Sequence, residues 1–194
     1  EHDSGRDPRG LTLQGGFAIL NNRKIMRMMG DCATASCGAV IAHHQAPLAA
    51  VRRELDAAEK RAKNEGGRNA FSITVIKRSG GALILTAKWG EPVRLLADLR
   101  DFLASDGVSR RAVYNTLEWL HDLPQPAGDG AMLTSLLAYQ MSRQAKLAEQ
   151  KTTAQNLAKR LTSLCLQQDQ DRLKWLENFM TVAEFLARET RIRP

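Results

Sequence analysis

The chain has 194 residues, of which 43% are hydrophobic and 25% are charged. This composition is typical of globular proteins and excludes a wholly disordered chain, and the length suffices for one large domain or two small ones. The longest apolar runs, such as residues 39–42, are far too short to cross a bilayer. The three cysteines, Cys32, Cys37 and Cys165, are an odd number that favours reduced thiols in the cytoplasm over a secreted disulfide framework.

Positive charge is concentrated in the first half of the chain. Residues 1–90 contain 14 Lys and Arg against 8 Asp and Glu, whereas residues 91–194 contain 14 against 13. A basic half indicates either a phosphate-bearing partner or simply a solvated basic surface. The chain begins with Glu1 rather than Met, and no signal segment opens it, so we expect Glu1 to be a fragment boundary.

Two strand signals precede the first clear helix. Residues 17–20 and 24–28 flank Asn21-Asn22, and because Asn tolerates positive φ in tight turns, the pattern predicts a β-hairpin. A helix over residues 17–29 is the alternative. Residues 33–42 are small and β-branched, which predicts a strand that is buried on both faces.

An amphipathic helix follows this strand. Apolar residues recur at steps of three and four from Leu48 to Ala62, with charged residues between them. Pro47 fits the first helical position, and Gly66-Gly67 is typical of a helix end.

A hairpin completes the first half. Residues 70–78 alternate between an apolar face and a mixed face, residues 79–81 form a turn, and residues 82–89 return as the second strand. The order strand, helix, strand, strand is typical of half of an α+β domain.

Nearly everything after residue 90 has helical periodicity. A helix ends at residues 105–107, Ser109 can cap the next one, and residues 121–130 form a loop. A long helical region then covers residues 132–190, with breaks near 149–153 and 167–170. We expect a bundle of four or five helices that packs against the α+β part, with four aromatic side chains in its core: Trp119, Trp175, Phe179 and Phe185.

The region around the first strand could be read as a metal site. Cys32 and Cys37 are separated by four residues and followed by His43 and His44, but no second Cys pair follows and Cys37 lies in an apolar strand. We therefore predict no metal site. Because no nucleophile or carboxylate lies near the two histidines in the sequence, we expect one of them to bond exposed backbone before the helix.

Two cations mark the end of the amphipathic helix. Lys63 lies in its last turn and Arg68 follows the glycine pair, so the two could converge on one anion. The alternative, which spacing alone favours, is that these cations complement the helix dipole.

Several segments resemble a known family. Residues 35–42 (ASCGAVIA), an intervening helix and residues 58–69 (AEKRAKNEGGRN) resemble the second half of a GGDEF-type nucleotidyl cyclase palm. With residues 41–48 (IAHHQAPL) and 70–80 (AFSITVIKRSG), the chain is similar to the palm-bearing large subunit of type III-B (Cmr) CRISPR effector complexes. This match covers roughly residues 33–90, and the helical tail is similar to that subunit's C-terminal helical domain.

The resemblance implies an α+β fold of two parts. Residues 1–90 would form the C-terminal half of a ferredoxin-like palm with an N-terminal hairpin, and residues 91–194 would form a helical bundle domain. In that family the palm binds two Mg or Mn ions through a Gly-Gly-Asp-Asp turn and makes cyclic oligoadenylate from ATP when target RNA is bound. The complex is a cytoplasmic, RNA-guided antiviral assembly that contains guide RNA and other subunits.

The same resemblance assigns roles residue by residue. This chain contains no Gly-Gly-Asp-Asp, so we expect it to hold no catalytic residue and no metal ligand of that site and to be inactive alone. Lys63 matches the triphosphate-contacting lysine of the motif. Arg68 matches the motif's arginine, although one extra residue separates it from Lys63.

Two other functions fit the sequence. The chain could be a binding module, in which a degenerate palm and a basic surface hold RNA or neighbouring subunits without chemistry, or a signalling cyclase that makes a cyclic dinucleotide. The near-neutral charge of residues 91–194 favours a protein over a nucleic acid as the partner of the helical domain.

Overall fold

The structure, a computed structural model, divides the chain into two compact units, residues 1–35 and 36–194. The residues that it describes are 10–14, 16–21, 23–29, 33–78, 80–109, 111–126, 128, 130–169 and 171–190. Within this part of the chain, no helix combines the length and the apolar composition needed to cross a membrane.

The first unit contains an antiparallel three-stranded sheet of β1 (Leu11–Gln14), β2 (Phe17–Leu20) and β3 (Lys24–Arg27). The predicted hairpin is confirmed, because β2 pairs with β3, and the helical alternative is wrong. Asn21 in the turn has a φ of 50°, the left-handed conformation that Asn tolerates. Strand β1 was not predicted.

The second unit is an α+β structure, as predicted, with a strand–helix–strand–strand segment followed by helices. Its elements are β4 (Cys37–Ile41), α1 (Leu48–Asn64), β5 (Ala70–Ile76), β6 (Ala82–Lys88), α2 (Glu91–Ala104), α3 (Arg111–His121), α4 (Ala131–Arg143), α5 (Ala148–Leu166) and α6 (Arg172–Thr190). The sheet order is β4-β5-β6. β4 runs parallel to β5 through the α1 crossover, and β6 returns antiparallel to β5.

Strand β4 differs from the prediction of burial on both faces, which is wrong. It has five residues, and Cys37 and Ala39 are exposed. Side chains alternate along a strand, so Gly38 faces α1, whereas Cys37 and Ala39 lie on the opposite face, which is open to solvent at this outer strand. Gly38 is required there, because a Cβ atom at this position would lie 2.5 Å from the backbone nitrogen of Glu59 in α1.

Helix α1 lies where it was predicted, although Pro47 is its N-cap and Leu48 its first helical residue, and its apolar stripe is only half covered. Ala58 and Ala62 are fully buried, whereas Leu48 and Leu55 are 80% and 42% exposed. The sheet of β4, β5 and β6 therefore covers the alanine end of the stripe and leaves the leucine end in solvent.

The two faces of the sheet have different partners. Phe71, Val75 and Leu85 belong to the same buried cluster as the helical residues Leu99 and Phe179. The indole nitrogen of Trp175 in α6 donates a hydrogen bond to the backbone oxygen of Thr86, at 3.0 Å. The opposite face of the sheet lies under α1. A domain boundary at residue 90 remains a prediction.

For one of the four aromatic residues predicted in the helical core, the predicted burial is wrong. Phe179 is fully buried, and Trp175 and Phe185 pack against the core, but Trp119 is 52% exposed. Helix α3 buries a different face, which carries Val113, Thr116 and Leu120. The predicted loop over residues 121–130 lies between α3 and α4, and the first predicted break in the long helical region lies at 144–147 rather than 149–153.

Candidate nucleotide-binding site

The candidate site lies at the carboxyl end of α1, where the chain turns into β5. The backbone N–H of Arg68 donates a hydrogen bond to the carbonyl of Lys63 at 3.1 Å, and that of Gly66 donates to the carbonyl of Arg61 at 2.9 Å. The first bond brings Lys63 and Arg68, the two predicted site residues, next to each other. Both side chains are exposed, so a dissolved anion can reach them.

The loop that carries Arg68 has an unusual backbone. Gly67, Arg68 and Asn69 have φ values of 62°, 59° and 45° in succession. A left-handed conformation is uncommon for Arg and costs about 1 kcal/mol or more, so surrounding contacts have to hold it. Those contacts come from Lys88 at the end of β6, whose Nζ donates to the carbonyls of Gly67 at 3.0 Å and Arg68 at 2.8 Å.

Sequence reasoning did not find Lys88. The pairing of β5 with β6 sets Lys88 opposite Ala70, the first residue of β5, and so beside the loop. The length of the hairpin was the signal available in the sequence. The two strands have equal length on either side of the turn at residues 79–81, so residue 88 pairs with residue 70. The glycine pair itself was found, and Gly66 is needed because a Cβ there would lie 2.7 Å from the carbonyl oxygen of Ala62.

Lys63 is engaged in an ion pair within α1. Its Nζ lies 2.6 Å from Oε1 of Glu59, one turn earlier, and both side chains are about half exposed. The hydrogen bond from Lys63, together with its charge, lowers the pKa of Glu59. Because folding lowers this pKa, the pair stabilises the protein above the ordinary titration range of Glu and is lost as the pH falls through the lowered pKa. A phosphate that binds Lys63 has to compete with Glu59, and exposed pairs of this kind are weak.

Arg61 fixes the last turns of α1 on the sheet. Its Nε donates to Oγ of Ser72 at 3.4 Å and its Nη2 donates to Oγ1 of Thr74 at 2.5 Å, while Oγ1 of Thr86 donates to Oγ of Ser72 at 2.9 Å. Ser72 and Thr74 are fully buried, so their hydroxyl groups need these partners. The mixed face of β5 was predicted, and the need for a polar partner opposite it was the signal for Arg61.

A cleft of about 890 Å³ adjoins this loop between β6 and helices α2, α5 and α6. Glu65, Gly66, Lys88 and Trp89 line one side of it, and Arg160 lies on the helical side. The volume is that of a small-molecule site. Lys63 and Arg68 are not among its lining residues, so the pair and the cleft are neighbouring but separate features.

The described residues do not fit the metal site that the resemblance implies. Among them, no group of three or more His, Cys, Asp or Glu side chains could hold a metal ion. Cys32 lies outside the described residues. Of the histidine pair, His43 has the structural role that we predicted, because its Nδ1 accepts a hydrogen bond from the backbone N–H of Gln45 at 3.3 Å.

The arrangement at the end of α1 is therefore suited to binding an anion, because two exposed cations lie on neighbouring backbone: Lys63 in the last turn of α1 and Arg68 on the loop whose carbonyls accept hydrogen bonds from Lys88. The chain matches no protein-family model and no curated protein. The roles of Lys63 and Arg68 stay predictions that rest on the resemblance and on this geometry.

Proposed function

We propose that the chain supplies the second half of the cyclase palm, together with the terminal helical domain, of the large subunit of a type III-B CRISPR effector complex. The complete palm would make cyclic oligoadenylate from ATP when target RNA is bound. The observation that carries the proposal is the position of Lys63 and Arg68, which lie side by side at the end of the helix in a strand–helix–strand–strand unit.

Within this proposal, the chain's own residues bind ATP and do not transform it. Lys63 and Arg68 contact the triphosphate, Lys88 holds the loop, and Arg61 keeps α1 in register with the sheet. Charge-assisted hydrogen bonds of this type are the strong contacts of phosphate recognition. The carboxylates for Mg or Mn belong to another segment of the large subunit, so the chain alone is inactive.

The open side of the sheet supports the proposal. Natural sheets protect an outer strand with charged residues or proline, but β4 reads Cys-Gly-Ala-Val-Ile. Its exposed residues Cys37 and Ala39, and Leu48 and Leu55 of α1, are apolar surface that a further part of a palm would cover. The partners are the other effector subunits, with guide and target RNA bound through the complex, and the location is the cytoplasm.

The experiment is the Lys63→Ala variant in the assembled effector complex. Loss of a charge-assisted phosphate contact should reduce cyclic oligoadenylate synthesis by about tenfold or more and leave target-RNA binding intact. Lys60→Ala is the matched control, because Lys60 is an exposed lysine of the same helix. Equal product from Lys63→Ala and from the unmodified complex would refute the site.

The second candidate is a binding module with a degenerate palm that holds RNA or neighbouring subunits without chemistry. It is favoured by the 2.6 Å pair of Lys63 with Glu59, because a lysine that serves only to neutralise its helix neighbour needs no ligand. Under this alternative, the Lys63→Ala and Lys60→Ala complexes make the same amount of cyclic oligoadenylate, and that amount is zero if the complex has no synthetic activity.

A further inference from the structure

A cluster of basic side chains lies at the end of the second unit's sheet that is farther from Lys63. The parallel strands β4 and β5 end together, with Ile41 paired to Val75. The residues that follow each strand therefore lie side by side at the carboxyl end of the sheet. They include four basic side chains, which we call the cationic edge: His43, His44, Lys77 and Arg78.

The cationic edge is open to solvent. His44, Lys77 and Arg78 are exposed, and the ring centroids of His43 and His44 lie 4.2 Å apart with the rings tilted by 41°. Nδ1 of His43 accepts a hydrogen bond from the backbone N–H of Gln45, so the proton of the neutral ring is on Nε2. The Nε2–H group therefore faces away from that turn and can donate to another partner. A Cβ atom built on either glycine of the following turn, residues 80 and 81, would have no neighbour within 4 Å, so the space beside the turn is free.

No described carboxylate forms an ion pair with Lys77 or Arg78. The pKa of His43 lies below its ordinary value, because partial burial and then the charges of His44 and Arg78 disfavour its protonated form. These are the groups whose charge acts on His43, and all of them are basic. The edge thus has converging positive charge, which an anion would stabilise.

We propose that the cationic edge binds the phosphodiester backbone of single-stranded nucleic acid. Lys77 and Arg78 contact phosphate oxygens, and the exposed imidazole of His44 and the guanidinium plane of Arg78 offer surfaces on which unstacked bases lie. An acidic protein segment would use the charges but not the rings, so nucleic acid is the partner that uses the whole surface. This inference does not rest on the proposed function, since Lys63 and Arg68 lie at the other end of α1.

The test is fluorescence anisotropy of a labelled 12-nucleotide oligo(U) titrated with the 194-residue chain between 50 and 200 mM KCl. The Lys77→Gln/Arg78→Gln variant should bind about tenfold more weakly at 50 mM, and its logarithmic salt slope should be smaller by about 1.4, which is about 0.7 for each lost phosphate contact. The control is Lys146→Gln/Lys151→Gln, two exposed lysines of the helical part with the same change in charge. It should retain the affinity and the slope, and an equal loss in both variants would overturn the proposal.

Two further measurements do not depend on the double variant. Oligo(U) carrying 4-thiouridine should crosslink to peptides that contain residues 43–45 or 77–78 of the unmodified chain. Crosslinks confined to other peptides would overturn the proposal, as would equal competition by a 12-residue polyglutamate, which would indicate an acidic protein partner. These measurements follow oligo(U) binding at residues 43–45 and 77–78 and not ATP binding, so the cationic edge and the proposed ATP contacts can fail separately.

Discussion

The contact between β4 and α1 at Gly38 makes a specific prediction about stability. In Gly38→Ala the new Cβ would lie 2.5 Å from the backbone nitrogen of Glu59 and 3.0 Å from the carbonyl carbon of Ala58. Both are backbone atoms, which cannot rotate away as a side chain can. Ordinary van der Waals contact begins at 3.4 Å, so α1 would have to move off the sheet by about 0.9 Å.

The expected cost follows from overpacking. Extra atoms forced into a packed interior cost about 1–3 kcal/mol, and a Gly to Ala change recovers about 0.4–1 kcal/mol from the unfolded chain. We expect a net loss of about 1–2 kcal/mol, which lowers the urea midpoint by about 0.5–1 M for a slope of about 2 kcal/mol per M. The displaced turn carries Glu59, so the geometry of the Glu59–Lys63 pair should change as well.

The assay is urea unfolding followed by circular dichroism, with Ala39→Ser as the control. Ala39 is the exposed neighbour of Gly38 on the same strand, where one added atom should change stability by less than about 0.5 kcal/mol. A midpoint for Gly38→Ala that equals or exceeds that of the unmodified chain would show that α1 is not seated on the backbone at Gly38.

Three other predictions concern single side chains. Glu59→Gln removes the competitor of Lys63 and should tighten ATP binding by about two- to fivefold in calorimetry, and weaker binding would contradict the proposed contact. Lys88→Gln removes the ammonium group that holds two loop carbonyls and should lower the unfolding free energy by about 1–2 kcal/mol, with faster hydrogen exchange in the loop; unchanged exchange would contradict this role. Burial raises the pKa of Cys165 to about 11, so at pH 8 its thiol should be alkylated far more slowly than that of exposed Cys37, as peptide mass spectrometry can measure; equal rates would contradict its burial.

Local periodicity explains why the order of elements could be predicted. The spacing of apolar residues in α1 and the alternation in β5 are properties of short segments, and so are the glycines and prolines that separate the helices. The Glu59–Lys63 pair also follows from i, i+4 spacing on a helix.

The errors concern features that depend on distant parts of the chain. The exposure of β4 depends on which elements cover each face of the sheet, which the composition of residues 33–42 does not reveal. The face that α3 buries depends on the helices around it, so Trp119 was placed in the core although it lies on the solvent side. The contact of Lys88 with Arg68 spans 20 residues and depends on the register of a hairpin.

The most direct test of the proposed function is native mass spectrometry of the assembly purified from source cells through a tag placed after Pro194. We predict a tagged polypeptide much heavier than the 21.5 kDa of this chain, associated with RNA and with the other subunits of a type III effector complex. A tagged chain near 21.5 kDa without RNA or other subunits would contradict the proposal.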